Sequence, residues 1–230
     1  MLTDYHSHVL PSMDDGAYTV RESLRMLDMW AAQDVARVAA TPHFHLHREP
    51  AKTFLARRDD SISRLPAAGT HPALLIGAEV YISEGLCEIS ELTQLTLAGS
   101  KYIMLELPYF RFSQRVLEEA QNIMHDYGLI PIFAHIERYI QWYTNADIMD
   151  VLAIPGVVWQ VNHESLFYDD TLDFTLDLIQ GGHPVIFGSD AHNTRQRPPN
   201  AAEAYPLLRK LLTRAQYDRL LALNANLLDV

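Results

Sequence analysis

Imidazoles and carboxylates recur in this chain where short apolar runs end, and their spacing is that of metal ligands. Near the start, "DYHSHVLPSMDDGA" sets His6 and His8 one residue apart, then Asp14, Asp15 and Gly16. A β-strand sends alternate side chains to one side, so a short strand here aims both imidazoles the same way. Taking two neighbouring imidazoles out of water is unfavourable unless something binds them, and neutral imidazole nitrogen is the commonest metal ligand among side chains. An isolated HxH is better explained by a solvated N-terminal edge. The rest of the sequence removes the isolation: His43 follows the next apolar run in "ATPHF", Glu79 stands in "GAEVY", Glu106 in "MLELP", His135 in "FAHIER" and Asn162 in "VWQVN". Asp190 and His192, again one residue apart, close the series in "GSDAHN". Singly, each acid reads as a surface carboxylate and His135 as a core histidine. A ligand type at nearly every strand end instead points to one shared site, because buried charges require partners or metals.

Histidine and carboxylate without thiolate suit Mn, Fe, Zn, Co or Mg. With Asp15 from the opening loop, the set His6, His8, Asp15, His43, Glu79, Glu106, His135, Asp190 and His192 is too large for one ion and implies a multinuclear centre. Ions held a few ångströms apart polarise a phosphoryl oxygen and acidify a shared water, which is hydrolase equipment. Arg138, three residues after His135, and Arg197 in "RQRPP" adjoin these ligands and suit two-pronged contact with phosphate. A thiol phosphatase is excluded, since it needs Arg six positions after its Cys, and Cys87 is followed there by Thr93. His45, His47, His71, His125, His163 and His183 lack comparable company, although His45 and His47 are near enough to His43 to line an entrance.

The elements that must position this set alternate along the chain. Strands are expected at "LTDYH", "VARVAA", "ALLIGAEVY", "YIMLEL", "LIPIFAH", "GVVWQVN" and "HPVIFGSD". Helices are expected at "TVRESLRMLDMWAAQD", with Thr19 and Glu22 spaced as a capping box, and at "SQRVLEEAQNIMHDYG". A further helical stretch, "AEAYPLLRKLLTRAQYDRLLALN", must bend or break near Pro206 or Thr213. Such alternation predicts parallel strands with helices outside, as a barrel or a doubly wound sheet. In a closed barrel all strand C-termini surround one mouth, where catalytic groups of such folds lie.

The chain has 230 residues, 48% hydrophobic and 20% charged, which is ordinary globular composition for one domain spanning 1–230. Its net charge of −11 disfavours nucleic acid as a partner. One cysteine, no secretory pattern and no apolar run near the ~20 residues of a membrane span predict a cytoplasmic chain with no direct membrane insertion.

In their order, "DYHSH", "MDDG", "TPHF", "GAEVY", "LELP", "AHIERY", "VN" and "GSDAHN" followed by "RPP" resemble the polymerase and histidinol phosphatase (PHP) superfamily over nearly the whole chain. "HSHxLPxxDDGA", "AHIERY" and "SDAHN…RPP" more narrowly resemble its metal-dependent bacterial protein tyrosine phosphatases of capsular and exopolysaccharide machinery. The resemblance implies a distorted TIM-like (β/α)7 barrel carrying three divalent ions, usually manganese. It implies one ion on His6, His8, Glu79 and Asp190, a second on Glu79, Glu106 and His135, and a third on Asp15, His43 and His192. Asp14 would then be an outer neighbour or solvated, and Arg138 and Arg197 would contact phosphate. The implied partner is the phosphotyrosine-bearing C-terminal tail of a membrane-associated bacterial tyrosine kinase. "TPHF" departs from the family pattern, which has Ser before the His and a basic residue after it.

The expected reaction is in-line attack on phosphorus by a hydroxide bridging the ions, with the arginines neutralising the non-bridging oxygens. His43, His192 or a metal-bound water would protonate the leaving group if it needs help. The alternatives are a small-molecule phosphomonoesterase of the histidinol-phosphate type, a nuclease, a non-catalytic metal-stabilised module, and an amidohydrolase, whose bridging Lys is not visible here.

Overall fold

Every strand pairing among the described residues is parallel. The computed structural model describes residues 2–66, 71–109 and 112–229. Its strands are β1 (Leu2–Asp4), β2 (Val35–Ala40), β3 (His43–Phe44), β4 (Ala73–Ile76), β5 (Glu79–Tyr81), β6 (Tyr102–Glu106), β7 (Ile130–Phe133), β8 (Val158–Asn162) and β9 (Val185–Gly188). They form two ladders, β1-β2-β4 and β3-β5-β6-β7-β8-β9.

The strands expected from the sequence are all present, but "ALLIGAEVY" is split at Gly77 into β4 and β5, and β3 continues β2 beyond Thr41 and Pro42. Pro42 has no N–H to give to a ladder, so pairing lapses there. Gly77 N donates to Ala40 O at 3.0 Å and Glu79 N to Pro42 O at 3.0 Å, carrying the pairing across the gap. The circle closes between the first and last strands: Tyr5 N donates to Phe187 O at 3.1 Å, Asp190 N to His6 O at 2.8 Å and His8 N to Ala191 O at 2.9 Å. Seven strand positions therefore form a distorted barrel, and a doubly wound sheet is ruled out.

The helices are α1 (Val20–Ala31), α2 (Ala51–Ser63), α3 (Gln114–Tyr127), α4 (Asn145–Leu152), α5 (Asp169–Gln180), α6 (Ala201–Leu211) and α7 (Arg214–Asn226). At the start of α1, Thr19 Oγ1 accepts from Glu22 N, but the Glu22 carboxylate accepts from Tyr18 N rather than Thr19 N, so half of the expected box forms. The last helical stretch breaks at Leu212 and Thr213, where Thr213 and Gln216 form a full capping box; Pro206 stays inside α6. The helices α2, α4 and α5 were not legible as such; of these, α4 carries a clear start signal in the Thr144–Asp147 box.

Period-two alternation sorts the strand residues. Ile103, Leu105, Phe133, Trp159, Val161 and Phe187 join the large core under the helices, whereas Met104, Ile132, Val158 and Ile186 join a second cluster with Tyr5, Ala39, Leu97 and Leu227. The second cluster fills the barrel interior at one depth. Continuing two residues along each strand reaches Glu106, Gln160 and, after Gly188, Asp190, so the apolar interior turns polar toward the strand C-termini.

Candidate active site

The nine ligand-type residues lie together at this polar end. His6 and His8 follow β1 and are fixed by its seam with the segment after β9, while Asp190 and His192 come from that segment. Gly188 sits in the seam because a Cβ there would stand 2.6 Å from His6 Cβ and 2.7 Å from His6 N. His135 and Asp190 both adopt left-handed backbone, with φ of 34° and 52°. Such backbone costs an L-residue about 1–3 kcal/mol and clusters at functional sites.

Glu79 is central and buried. Its Oε2 is 3.1 Å from His6 Nε2, 3.3 Å from His8 Nε2 and 2.9 Å from His43 Nδ1, and its Oε1 is 2.8 Å from His135 Nε2. Asp190 Oδ1 faces His8 Nε2 at 3.2 Å and His6 Nε2 at 3.6 Å. Glu106 lies 3.7 Å from His135, and Asp15 spans His192 Nε2 at 3.4 Å and His43 Nε2 at 3.6 Å. Three groups, His6/His8/Asp190, Glu79/Glu106/His135 and His8/Asp15/His43/His192, each offer ligand atoms within 4.8 Å of one another.

Tautomers show what these atoms are waiting for. The backbone N–H of His135 donates to Gln160 Oε1 at 2.8 Å, so the atom that His6 Nδ1 meets at 2.9 Å is an acceptor and His6 carries its proton on Nδ1. His8 Nδ1 likewise faces the Asp14 carboxylate at 2.7 Å. Both rings therefore present bare Nε2 lone pairs to each other at 3.3 Å, with Glu79 and Asp190 oxygens alongside. Only a proton or a cation relieves that contact. Without metal the proton serves: burial opposes charging His8, but Asp14, Asp190 and Glu79 lift its pKa well above the usual histidine range. Glu79 Oε2, Asp190 Oδ1, His43 Nδ1, His135 Nδ1 and His192 Nε2 are buried without a hydrogen-bond partner. The donor set thus fits hard or borderline divalent ions.

The orienting groups were the less legible part. The Asp14 side chain is only 8% exposed and joins His8 Nδ1, His43 N and Gly16 N, rather than facing solvent. Burial works against its ionisation, but His8 overcomes this and holds the carboxyl at about 2. Gln160 escaped notice in "VVWQVN", although it stands two residues before Asn162 and hence on the same strand face. Its Nε2 donates to Asn162 Oδ1, and Asn162 in turn donates to Asp190. Tyr109 donates to Glu106, whose pKa is pushed up to about 7 by burial and by the charge of Glu79.

Arg138 Nη1 is 2.8 Å from Asp190 Oδ2, and Arg197 bonds the same oxygen. Both line a cavity of about 1040 Å³ that reaches His43, Glu106, His135 and Asp190. His43 opens to this cavity, whereas the His192 side chain is only 3% exposed and does not line it. Cys87 lies elsewhere, its thiol pushed up to about 11 by burial and by Glu119, so it is no thiolate nucleophile.

Known proteins are similar to this chain. The tyrosine-protein phosphatase YwqE of Bacillus subtilis is 30% identical over 219 residues, 91% of this chain and 84% of the relative. The tyrosine-protein phosphatase CpsB of Streptococcus agalactiae serotype III is 27% identical over 218 residues, 90% of this chain and 89% of the relative. A crystal structure from work on YwqE of B. subtilis and CpsB of Streptococcus pneumoniae, described as unique metal-dependent tyrosine phosphatases, superposes with a TM-score of 0.78 at 26% identity, covering 99% of this chain and 94% of that one. Residues 2–228 match the family described as Capsular polysaccharide synthesis, CpsB/CapC, and the chain belongs to that family.

Proposed function

We propose that this protein is a metal-dependent phosphotyrosine phosphatase of capsular or exopolysaccharide synthesis, acting as one catalytic unit. The observation that carries the reading is the meeting of Glu79, Asp190 and the bare Nε2 atoms of His6 and His8 beside two cavity-facing arginines. The named activity of YwqE and CpsB supports it. We assign three ions, with manganese foremost: one to His6, His8, Glu79 and Asp190, one to Glu79, Glu106 and His135, and one to Asp15, His43 and His192. When bound, such ions supply Lewis-acid polarisation and an activated water for attack on phosphorus.

The chain's own groups then do the rest. Arg138 and Arg197 each keep N–H donors beyond those spent on Asp190 and Glu164, and these bind the non-bridging oxygens of a phosphate in the cavity. A departing phenolate, of conjugate-acid pKa near 10, asks little of a general acid. Of the two histidines expected to give a proton, only His43 reaches the cavity. The partner we assign is the phosphorylated tail of a membrane-associated tyrosine kinase, met in the cytoplasm; the lone Cys87 suits a reducing compartment. No helix among the described residues is long and apolar enough to cross a membrane.

The test sets a phosphotyrosyl peptide against a phosphoseryl peptide and histidinol phosphate, with manganese, with chelator, and in His135→Ala. The expected result is preference for phosphotyrosine, lost on chelation and in the variant. Equal or faster turnover of histidinol phosphate would replace this reading by the small-molecule one.

A further inference from the structure

His45 and His47 have no role in the site as described, yet both line its cavity. The rings form a file leading inward: His47 to His45 at 5.5 Å between centroids, His45 to His43 at 5.7 Å, His43 to His8 at 4.5 Å and His8 to His192 at 3.9 Å. Exposure falls along it, from exposed His47 through half-buried His45 and His43 to buried His8 and His192. Tyr81 packs against the two outer rings, tilted to His45 at 5.1 Å between centroids and edge-on to His47 at 6.1 Å, and so fixes their places. His45 Nδ1 is shut off from solvent and has no hydrogen-bond partner. Together with His43 and Glu106 it forms a further group whose ligand atoms lie within 4.8 Å of one another.

We infer that His45, His43 and Glu106 form an accessory divalent-cation site, a station through which ions enter the centre from the exposed side marked by His47.

The chemistry of His43 separates a station from a fourth resident ion. Its Nε2 edge faces Asp15 and its Nδ1 edge faces Glu79 and Glu106. A neutral imidazole has one lone pair, on one nitrogen or the other. An ion held on the Glu106 side through Nδ1 therefore excludes one held with Asp15 and His192 through Nε2. Occupancy of the station and of the inner site alternates on a single ring, which is the behaviour of a hand-over point. The net charge of −11 draws divalent cations toward the protein, and the imidazole file gives them a partly dehydrated path.

The inference rests on the metal centre proposed above, and the test tells the two apart. Protein stripped by chelator is mixed with Co(II), and uptake is followed by d–d absorbance, with final metal content measured after desalting. Wild type is compared with His45→Ala, His47→Ala and the double variant, and folding is checked by circular dichroism. The expected result is uptake slowed about tenfold or more in His45→Ala, in the range by which charged and liganding paths change association rates. Final content and phosphatase turnover once loaded should stay as in wild type. The conservative His45→Gln should recover part of the rate. Unchanged uptake in both His45→Ala and the double variant overturns the station, and so does a loss of one bound ion at equilibrium, which would make His45 a resident ligand. Wild-type protein that takes up no metal sinks the centre itself.

Discussion

Asp14 and Asp15 are neighbours of one type with opposite situations. Asp15 is 66% exposed in its side chain and reaches His43 and His192, whereas the Asp14 side chain is only 8% exposed and holds His8 from behind. A metal-bound histidine whose far nitrogen is anchored by a carboxylate is oriented and made more basic, and losing such an anchor commonly costs 10–100-fold in metal affinity. Asp14→Asn should therefore weaken manganese binding by about that factor, read by competition with a chromophoric chelator, with turnover restored at high metal concentration. A variant that binds metal as tightly as wild type would reduce Asp14 to loop packing. The two aspartates are indistinguishable by type; the choice of Asp15 as the inner one came from the family pattern, and besides the local bond from Gly16 N the groups that employ Asp14 lie 6 and 29 positions away along the chain.

The β1–β9 seam and the packing behind it carry the next two predictions. Gly188→Ala would press a methyl against the backbone of His6, and overpacking of this kind costs about 1–3 kcal/mol even where side chains can yield. We expect a lowered Tm together with loss of activity, because the seam also aims His6 and Asp190; a variant matching wild type in both would deny the closure. Behind the seam, His163 is buried, lying nearly parallel to Phe187 at 5.9 Å between centroids and 5.8 Å from Tyr205. Burial lowers its pKa, opposed by Asp4. The ring is thus neutral in the fold but takes a proton when unfolded below about 6.5, so the stability it brings is present above that pH and drains away on acidification. In urea unfolding of chelated protein, His163→Phe should gain on wild type as pH falls from 7 to 5. A gap that stays constant with pH would show that His163 protonates freely in the fold.

Ion binding should hold the barrel together as well as run its chemistry, since the assigned ligands come from β3, β5 and β6 and from the segments after β1, β7 and β9. A ligand that binds only the folded chain stabilises it by about 2.7 kcal/mol at a hundred times its Kd. For a chain of this size that amounts to a Tm rise of about 5–10 °C. Thermal unfolding with manganese and then with chelator should show a difference of this order; identical curves would mean that these residues bind no ion in the native state.

The strands, the helices α1, α3, α6 and α7 and the ligand types at the strand ends could be read directly, because hydrophobic periodicity and the rarity of buried His and acid are local properties of a chain. The opening HxH and the closing DxH announced themselves for the same reason. Closure of the barrel was not local: β1 meets β9 through hydrogen bonds between residues more than 180 positions apart, and a doubly wound sheet would have had the same pattern of elements. Nor could the sequence tell that Gln160 fixes the tautomer of His6, that the Asp14 side chain is turned inward from solvent, or that His192 is sealed while His43 faces the cavity. Those outcomes depend on which atoms the seam brings within about 3 Å of one another, and hydrogen bonding and burial at that range are decided only when the chain has folded.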